Sequence, residues 1–390
     1  MRLKLIALIC ATSISSLTAN AQSTTIDINA ANPQRTRVLK TRGLLGAPTQ
    51  ILWKSEKLFH YRASEWVTGE TGPFRFSIDL PTNQNFSVPI IAGDLLYFTY
   101  VATDGHLFAI EKATGQKLAV LSLEKNSVSR PAAKENIVFF GSARGQVHAY
   151  DARRREEKWS FVDKDHSFAD SYPIIDGDLL YFYAIDRGLY AFVADTGEVK
   201  WLFKSKKFVH APAVTNDRVL LLTQTGRLIA VDRETGVTRW DVDVGRDAMG
   251  PSVLRDQIFL VYDGGEIRSY SAIDGALQWK SKDVPRTGTA LALHNGMVYY
   301  SGRDDSVIAI DAVTGAAKLK FKTKRPCHAP VIADELLYVR CHDSKLYALS
   351  TVTLAEVWQL KNGNIMPPPL VFADGIMYSL GSDGFMYAMK

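Results

Sequence analysis

The sequence repeats itself eight times, and this periodicity constrains the fold more than any other feature. A proline, in one case an alanine, recurs at intervals of 39 to 42 residues. After each anchor come two apolar runs, a Leu-Tyr-Ala-like run and, in most copies, Thr-Gly-x-x-x-Trp. Such a period indicates a radial or stacked array of small units rather than one single-core domain. The anchors are Pro89, Pro131, Pro173, Pro212, Pro251, Ala290, Pro330 and Pro369.

The clearest copy, from Pro212 to Trp240, predicts four short antiparallel strands. Its apolar runs are separated by turns at Asn216-Asp217, Thr225-Gly226 and Thr235-Gly236. The last glycine is expected in the left-handed conformation that a bulged hairpin needs. Four antiparallel strands form one blade of a propeller. We therefore predict an all-β, eight-bladed β-propeller of four-stranded blades.

A tryptophan recurs at one place in the repeat and predicts a contact between blades. On an outer strand, an indole can lie flat between neighbouring blades and donate its N–H to a carbonyl. We expect this structural role, with ligand stacking as the alternative. The structural tryptophans are Trp159, Trp201, Trp240, Trp279 and Trp358, and Phe76, Ala119 and Leu319 take equivalent positions.

The two ends of the chain predict how the ring closes. The eighth repeat ends at Lys390 after its third strand, and the missing Thr-Gly-x-x-x-aromatic element occurs at residues 71–76. We expect an N-terminal strand from residues 71–80 to close the ring, because this would pair both free edges. Residues 71–390 are then the propeller and residues 22–70 an N-terminal extension or tether, with a strand-like run at residues 51–53.

Residues 1–21 have the pattern of a secretory signal peptide. Arg2 and Lys4 precede an apolar run too short to span a bilayer, and Ala19-Asn20-Ala21 resembles a cleavage site. We expect an exported, periplasmic protein without a transmembrane segment in the mature chain. The run before Cys10 is short for a lipoprotein signal, and lipidation of Cys10 stays open.

The charge distribution argues against a nucleic-acid partner. The formal net charge of the chain is +5, but residues 71–390 are formally neutral because all of the excess lies upstream. No basic stripe with interleaved aromatic residues occurs on the repeats, as a nucleic-acid surface would need.

Two cysteines flank one turn of the seventh repeat. Cys327 and Cys341 would lie opposite each other in a hairpin centred on Asp334-Glu335, close enough for a disulfide. An exported protein sits where a disulfide can form. His328 and His342 follow the cysteines, so a Cys/His metal site is the alternative. We expect the disulfide and no metal.

Residues just before the anchors should surround one mouth of the axial channel, because the innermost strand of each blade begins there. Propellers often bind ligands at such a mouth, since every blade contributes to it. A solvated polar surface is the alternative. The mouth residues are Arg130, Asp170, Tyr172, His210, Met249, Thr289, His328 and Met366.

The connection from Trp159 to Pro173 is the first candidate for binding a partner. It spans 14 residues, compared with 11 from Trp201 to Pro212, and its mixture of acidic and aromatic side chains suits an interface. The expected partner-binding residues are Asp165, His166, Phe168, Asp170 and Tyr172.

The unit Ala-x-Asp-x-x-Thr-Gly-x-x-x-Trp, complete at residues 230–240, resembles the tryptophan-docking repeat of the pyrroloquinoline-quinone (PQQ) type propellers. The resemblance covers residues 71–390 and implies the fold more strongly than the activity, because this fold hosts enzymes and binding proteins. Membership of the quinoprotein dehydrogenase branch of these propellers would imply that the chain holds PQQ with a calcium ion over the axis. The chain has no adjacent cysteine pair and no Cys-x-x-Cys-His haem site, and its inter-repeat loops are short.

The chain looks more like the branch of the outer-membrane assembly factor BamB, in length, repeat number, closure and compact loops. This resemblance implies a non-catalytic, protein-binding scaffold without cofactor, peripheral to the outer membrane, whose interblade loops contact BamA. Residues 168–173 resemble an acidic interblade loop of that branch. The basic 22–70 segment is additional, and no Arg-bearing loop of the branch is identified, so the partner stays open. The alternatives are a PQQ-dependent oxidoreductase, a degenerate propeller that binds a small ligand, and a sensor of cell-wall glycans.

Overall fold

The protein is built from β-strands that form eight blades around an axis. The structure, a computed structural model, describes residues 38–39, 48, 51–55, 66–69, 72–75, 87, 89–101, 105–123, 129–168, 171, 173–205, 212–282, 284–287, 289–361, 370–380 and 385–390. Within these ranges all elements of regular secondary structure are β-strands. These residues therefore include no helix that is long and apolar enough to cross a membrane.

Four strands precede the blades, and the first four blades follow them in chain order. The preceding strands are β1 (Val38–Leu39), β2 (Ile51–Lys54), β3 (Trp66–Gly69) and β4 (Gly72–Arg75). Blade 1 is β5 (Ile90–Ala92), β6 (Leu95–Val101), β7 (Gly105–Glu111) and β8 (Lys117–Leu123); blade 2 is β9 (Ala132–Lys134), β10 (Ile137–Gly141), β11 (Gln146–Asp151) and β12 (Glu156–Val162). Blade 3 is β13 (Ile174–Asp176), β14 (Leu179–Ala184), β15 (Gly188–Val193) and β16 (Val199–Lys204); blade 4 is β17 (Ala213–Val214), β18 (Arg218–Leu222), β19 (Arg227–Asp232) and β20 (Thr238–Asp243).

The remaining blades follow the same order. Blade 5 is β21 (Ala248–Leu254), β22 (Gln257–Tyr262), β23 (Ile267–Ser271) and β24 (Leu277–Lys280); blade 6 is β25 (Ala292–His294), β26 (Met297–Gly302), β27 (Ser306–Asp311) and β28 (Ala317–Lys322). Blade 7 is β29 (Val331–Ala333), β30 (Leu336–Cys341), β31 (Lys345–Ser350) and β32 (Glu356–Lys361); blade 8 contains β33 (Val371–Ala373), β34 (Ile376–Leu380) and β35 (Met386–Met389).

The first strand of each blade is the innermost one. The first strands of blades 1 and 2, 2 and 3, 4 and 5, 5 and 6, and 6 and 7 contact each other, and β33 of blade 8 contacts β5 of blade 1, which closes the ring. Within a blade the strands pair antiparallel in chain order. We call the contact between blades n and n+1 the interface n/n+1.

The core of the protein lies between the blades. Most middle strands are buried on both faces, as in β6, where the side chains of residues 95–98 are fully buried. Outer strands alternate between exposed and half-buried residues, as in β28. Apolar clusters join neighbouring blades, for example blades 3 and 4 and blades 6 and 7. The predicted all-β, eight-bladed propeller is therefore confirmed.

In two of the eight blades, the residue at the anchor position in the structure is one residue later than the anchor predicted from the sequence. In blade 3, Pro173 stands directly before the first paired residue of the inner strand. By the same pairing, Leu291 takes this position in blade 6 and Leu370 takes it in blade 8. These leucines, which are 0% and 3% exposed, replace Ala290 and Pro369 as the anchors. An apolar side chain fills the position, so proline is not required there.

An N-terminal strand completes blade 8, but it comes from an earlier segment than expected. β2 pairs antiparallel with β35 and takes the outermost place in the sheet. Trp53 lies opposite Ala388, the same pairing that Trp240 makes with Ala230. The propeller therefore begins upstream of residue 71.

The segment expected to close the ring pairs elsewhere. β4, the described part of residues 71–80, pairs with β3 in a separate two-stranded sheet. In the copies with a tryptophan, it lies opposite the small residue of the third strand, beside a bulge, as Trp240 does. Trp53 has this position in blade 8.

β1 lies on the channel side of blade 7. It pairs in parallel with β29, with Val38 opposite Ile332 and Leu39 opposite Ala333. The other edge of β29 pairs with β30, and β1 also contacts β25, the innermost strand of blade 6. A strand from upstream of the propeller therefore lies in the axial channel.

Candidate functional site

The repeated tryptophans join neighbouring blades, with the same geometry in four cases. The indole N–H of Trp201 donates to the carbonyl of Arg233 in the next blade over 2.9 Å. Its ring covers Gly236, where a Cβ would lie 2.8 Å from the indole. The other three sets are Trp159 with Ala194 and Gly197, Trp240 with Ala272 and Gly275, and Trp279 with Ala312 and Gly315.

The fifth tryptophan also lies at a contact between blades. Trp358 is 8% exposed and its ring packs edge-on against Tyr338. Both residues belong to the apolar cluster that joins blades 7 and 8. The five tryptophans therefore serve the packing of the ring.

The Asp and Thr of the repeat hold the turn that precedes the glycine. The carboxylate of Asp232 accepts hydrogen bonds from the N–H groups of Glu234 and Thr235 and from the Thr235 hydroxyl. Asp311 accepts the equivalent bonds in blade 6. The hydrogen bond from Arg239, and then those from Thr235, lower the pKa of Asp232 to about 2. The repeat motif is thus used for folding.

Two interfaces lack both the tryptophan and the glycine. Leu319 of blade 6 faces Leu354 of blade 7 in these positions, and Ala119 and Arg155 take them in blades 1 and 2. Leu354 and Arg155 keep the left-handed backbone, with φ of 56° and 59°. Leu354 is 2% exposed, so its side chain fills space that an indole fills at other interfaces.

Interface 6/7 also has a cavity of about 420 Å³ beside Leu319. Met297, Tyr299 and Val352 contribute to its lining. The carbonyl of Thr351, which corresponds to the carbonyls that accept a Trp N–H elsewhere, accepts a hydrogen bond of 2.7 Å from the Tyr299 hydroxyl. A tyrosine thus replaces the missing indole as the donor.

The expected partner-binding loop is anchored in the core by one of its own residues. Phe168 is 0% exposed and packs against Phe161, Phe182 and Tyr190. It joins the cluster between blades 2 and 3, because a connection of this length lets the ring reach that interface. Phe168 is therefore a core residue, and the prediction that it contacts a partner is wrong.

The rest of the described loop is organised by Asp163. Its carboxylate accepts a hydrogen bond of 2.6 Å from the Tyr190 hydroxyl and lies 2.9 Å from Nδ1 of His166. Burial raises the pKa of Asp163, but the hydrogen bonds of Tyr190 and His166 outweigh burial and leave the pKa below its ordinary value. His166 is thus held inside the loop, and Asp165 is exposed. Asp170 and Tyr172 lie outside the described residues.

Four of the expected channel-mouth residues are described. Arg130 and His328 are half-buried, and Met249 is exposed. Oγ1 of Thr289 accepts a hydrogen bond of 3.2 Å from the N–H of Ser301, in the second strand of blade 6. In blade 2, Oγ of Ser129 accepts the equivalent bond from the N–H of Gly141. Thr289 thus holds two strands of its own blade together. The remaining mouth residues, Asp170, Tyr172, His210 and Met366, lie outside the described residues.

Cys327 and Cys341 form a disulfide, the pairing that the sequence predicts. Backbone hydrogen bonds of His328 and His342 flank this bridge on both sides. Consecutive residues of an extended chain point to opposite faces, so the histidines leave the sheet opposite the sulfur atoms. Their rings stack, with centroids 4.8 Å apart. The four side chains do not converge, which removes the geometric basis for the Cys/His metal site.

Burial, and then the neighbouring His342 and Arg340, lower the pKa of His328 to about 4. In the part of the chain that the structure describes, no three His, Cys, Asp or Glu side chains lie together as a metal site would need. Segments 206–211 and 362–369, which precede two of the anchors, lie outside it. The expectation of no cofactor, and its alternative of PQQ with calcium, stay predictions.

The sequence analysis missed a set of exposed apolar side chains. Ile273, Val313 and Val352 occupy one position of the turn between the third and fourth strands in blades 5, 6 and 7, and they are 63%, 71% and 72% exposed. Blades 3 and 4 have Asp195 and Glu234 at this position. Aligning the copies at the position of the Thr-Gly element, which is Asp-Gly in blade 5 and Thr-Leu in blade 7, would have shown this run. The three side chains therefore repeat at one turn position of three successive blades.

Comparisons with known proteins agree with the topology. Residues 103–246, 202–291 and 263–384 match the model of the family described as outer membrane protein assembly factor BamB. Among solved structures, BamB from Moraxella catarrhalis is 18% identical, with a TM-score of 0.57 over 78% of this chain and 92% of that chain. A comparison with curated proteins finds no match.

Two further solved structures share the fold. The computationally designed protein Ika8 is 16% identical, with a TM-score of 0.65 over 87% of this chain and 99% of that chain. A europium-containing methanol dehydrogenase is 14% identical, with a TM-score of 0.60 over 88% of this chain and 87% of that chain. At such identities a structural likeness shows the fold alone. The family match, however, extends over most of the propeller, and the chain therefore belongs to the BamB family of PQQ-like repeat propellers.

Proposed function

We propose that this protein is a non-catalytic, periplasmic scaffold that binds other envelope proteins, in particular the outer-membrane assembly machinery. The observation that carries this proposal is the family match over residues 103–384. The printed family description names an assembly factor, whereas the likeness to a methanol dehydrogenase rests on the fold alone. The side chains of the repeat motif also support it, because they are used for turns and blade contacts.

The partner surface that we propose first is the run of exposed apolar side chains on blades 5 to 7. Ile273, Val313 and Val352 share one turn position, so a partner crossing three neighbouring blades would meet all of them. Burial of apolar side chains supplies most of the energy of protein association. The exposed Asp165 of the loop after β12 is the second candidate.

Binding of purified BamA periplasmic domains from the same organism tests the proposal. The triple variant I273D/V313D/V352D should weaken binding at least tenfold, because three carboxylates would be desolvated on docking. Val237→Asp is the matched control, since Val237 is 64% exposed in blade 4 but lies outside this run. Biolayer interferometry measures the affinities, and circular dichroism checks that the melting temperatures are unchanged.

The outcomes separate the two candidate surfaces. Loss of binding in Asp165→Arg together with full binding in the triple variant would place the site on the loop. Absence of binding to these domains by the unmodified protein would refute the assembly-machinery partner. Fractionation of the producing cells would check export, with the cytoplasm as the contradicting location.

A PQQ-dependent oxidoreductase is the second candidate, because the methanol dehydrogenase shares the fold. Purified protein incubated with PQQ and calcium should, on our proposal, show no quinone absorption after gel filtration and no alcohol-dependent dye reduction. Stoichiometric retention of PQQ with turnover would overturn the non-catalytic assignment.

A further inference from the structure

We propose that the channel edge of β29 is a binding site for an extended polypeptide strand, and that the chain's own Val38–Leu39 occupies it. The observation is the parallel pairing of β1 with β29 inside the axial channel. This inference does not depend on which envelope protein the propeller binds.

The recognition is made by backbone groups. One edge of β29 pairs with β30, which leaves its channel edge free to add a strand. A free strand edge presents alternating N–H and C=O groups that any extended chain can pair with. Since β1 also contacts β25, the added strand lies against the innermost strands of blades 6 and 7. The chemical class of the ligand is therefore an extended peptide aligned parallel to β29.

The connection between the two N-terminal strands is long enough for both to be placed at once. Leu39 precedes Ile51 by 12 positions, which can span roughly 40 Å when extended. The path runs from the channel side of blade 7 to the outer edge of blade 8, and even two blade depths of about 15 Å each, at 4.8 Å for each strand pair, are within that reach. β1 can therefore leave the channel while β2 stays in blade 8, and an external strand can replace β1 without opening the ring.

A cysteine cross-link in the full chain tests the position of β1. In L39C/A333C the two positions are opposite each other, so mild oxidation should join them, and peptide mass spectrometry should detect the link. L39C/A373C is the matched control, because Ala373 has the same place in the inner strand of blade 8. A link that forms equally in both variants, or in neither, would overturn the proposed position.

A peptide supplied in trans tests the ligand class. A fluorescent synthetic peptide of residues 34–43 is titrated against the full chain and against V38P/L39P, whose prolines remove two backbone donors from β1. Fluorescence anisotropy should show saturable binding to the proline variant, at least tenfold tighter than to the unmodified chain. The reason is that β1 already occupies the site in the unmodified chain. The same peptide N-methylated at both Val38 and Leu39 should bind at least tenfold more weakly, because one of two consecutive N–H groups faces the paired strand. Equal binding of both peptides, or no binding to V38P/L39P, would overturn the proposal.

Discussion

The interfaces with a Trp–Gly pair differ in side chains, but not in the left-handed backbone, from interfaces 1/2 and 6/7, which have neither residue. At interface 3/4, Trp201 covers Gly236, whose φ is 71°. At interface 6/7, Leu354 takes the glycine position with φ of 56°, and it faces Leu319. Since leucine tolerates this conformation here, the left-handed backbone alone does not explain the glycines. The indole excludes a Cβ, so Trp and Gly form one coupled unit across the interface.

The two exceptional interfaces are held by different interactions. At interface 6/7 the Tyr299 hydroxyl supplies the hydrogen bond across the blades, and the Cys327–Cys341 disulfide belongs to the same apolar cluster. At interface 1/2 the Arg153 guanidinium lies 3.3 Å from Asp94 and 3.6 Å from Glu111 of blade 1. Exposed ion pairs of this kind contribute little, about 0–1 kcal/mol. We therefore expect interface 1/2 to depend more on its apolar layer.

The largest expected effect is the loss of an indole from a Trp–Gly interface. Trp201→Ala should lower the free energy of unfolding by about 3–5 kcal/mol, because it leaves a large cavity and an unpaired carbonyl. Leu319→Ala should cost about 2 kcal/mol, since Leu319 is half-buried and already borders a cavity. Urea unfolding followed by circular dichroism compares them, and equal losses would break the distinction between the interfaces.

Trp53 should behave as a member of the Trp–Gly class. Its pairing with Ala388 gives it the tryptophan position of blade 8, and Gly115 of blade 1, with φ of 75°, has the facing glycine position. Trp53→Ala should therefore cost about 3–5 kcal/mol, as Trp201→Ala does. Trp66 in β3, outside the eight blades, is the control. A small loss for Trp53→Ala with an intact ring would show that interface 8/1 needs no indole.

A double-mutant cycle at interface 6/7 tests whether the exchange of both side chains is coupled. Leu319→Trp alone should be unfavourable because its indole meets Leu354, and Leu354→Gly alone should leave a cavity. Together they rebuild the Trp–Gly pair. We expect a favourable coupling of about 1–3 kcal/mol from urea unfolding of the four proteins.

Additive effects would mean that an indole at residue 319 enters the existing cavity without contacting residue 354. The same cycle at interface 3/4, with W201L and G236L, is the matched control and should show coupling of similar size. Coupling at only one of the two interfaces would show that Trp and Gly are not one unit throughout the ring.

The fold could be predicted from the sequence because each copy encodes its own strands and turns locally. The 39 to 42 residue spacing and the Thr-Gly turns are short-range signals. The closing strand is a long-range pairing: Trp53 meets Ala388, more than three hundred residues away, and no turn motif precedes it. The Thr-Gly element at residues 71–76 gives a stronger local signal than residues 51–54, although β4, the strand within it, pairs with β3.

The candidate site was less predictable because composition does not tell which way a loop residue points. The mixture of acidic and aromatic residues after Trp159 suggested a surface, but the ring of Phe168 lies in the core. Thr289 is polar and precedes an inner strand, yet its hydroxyl group is taken up by backbone bonds. The apolar residues at the turns of blades 5 to 7 were readable only by comparing copies, since each one alone is an ordinary exposed side chain.

The smallest expected effect is a dependence on pH located at blade 7. The pKa of His328 is about 4 in the folded protein, below the ordinary value of about 6.5 in an unfolded chain. Between these values the unfolded state binds a proton that the folded state does not, so stability falls as the pH decreases from 6.5 to 4. His328→Gln should remove about 1 kcal/mol of this loss, because solvent screens the exposed part of the ring. Urea unfolding at pH 7 and pH 4.5 measures it, and identical losses in both proteins would show that His328 titrates normally.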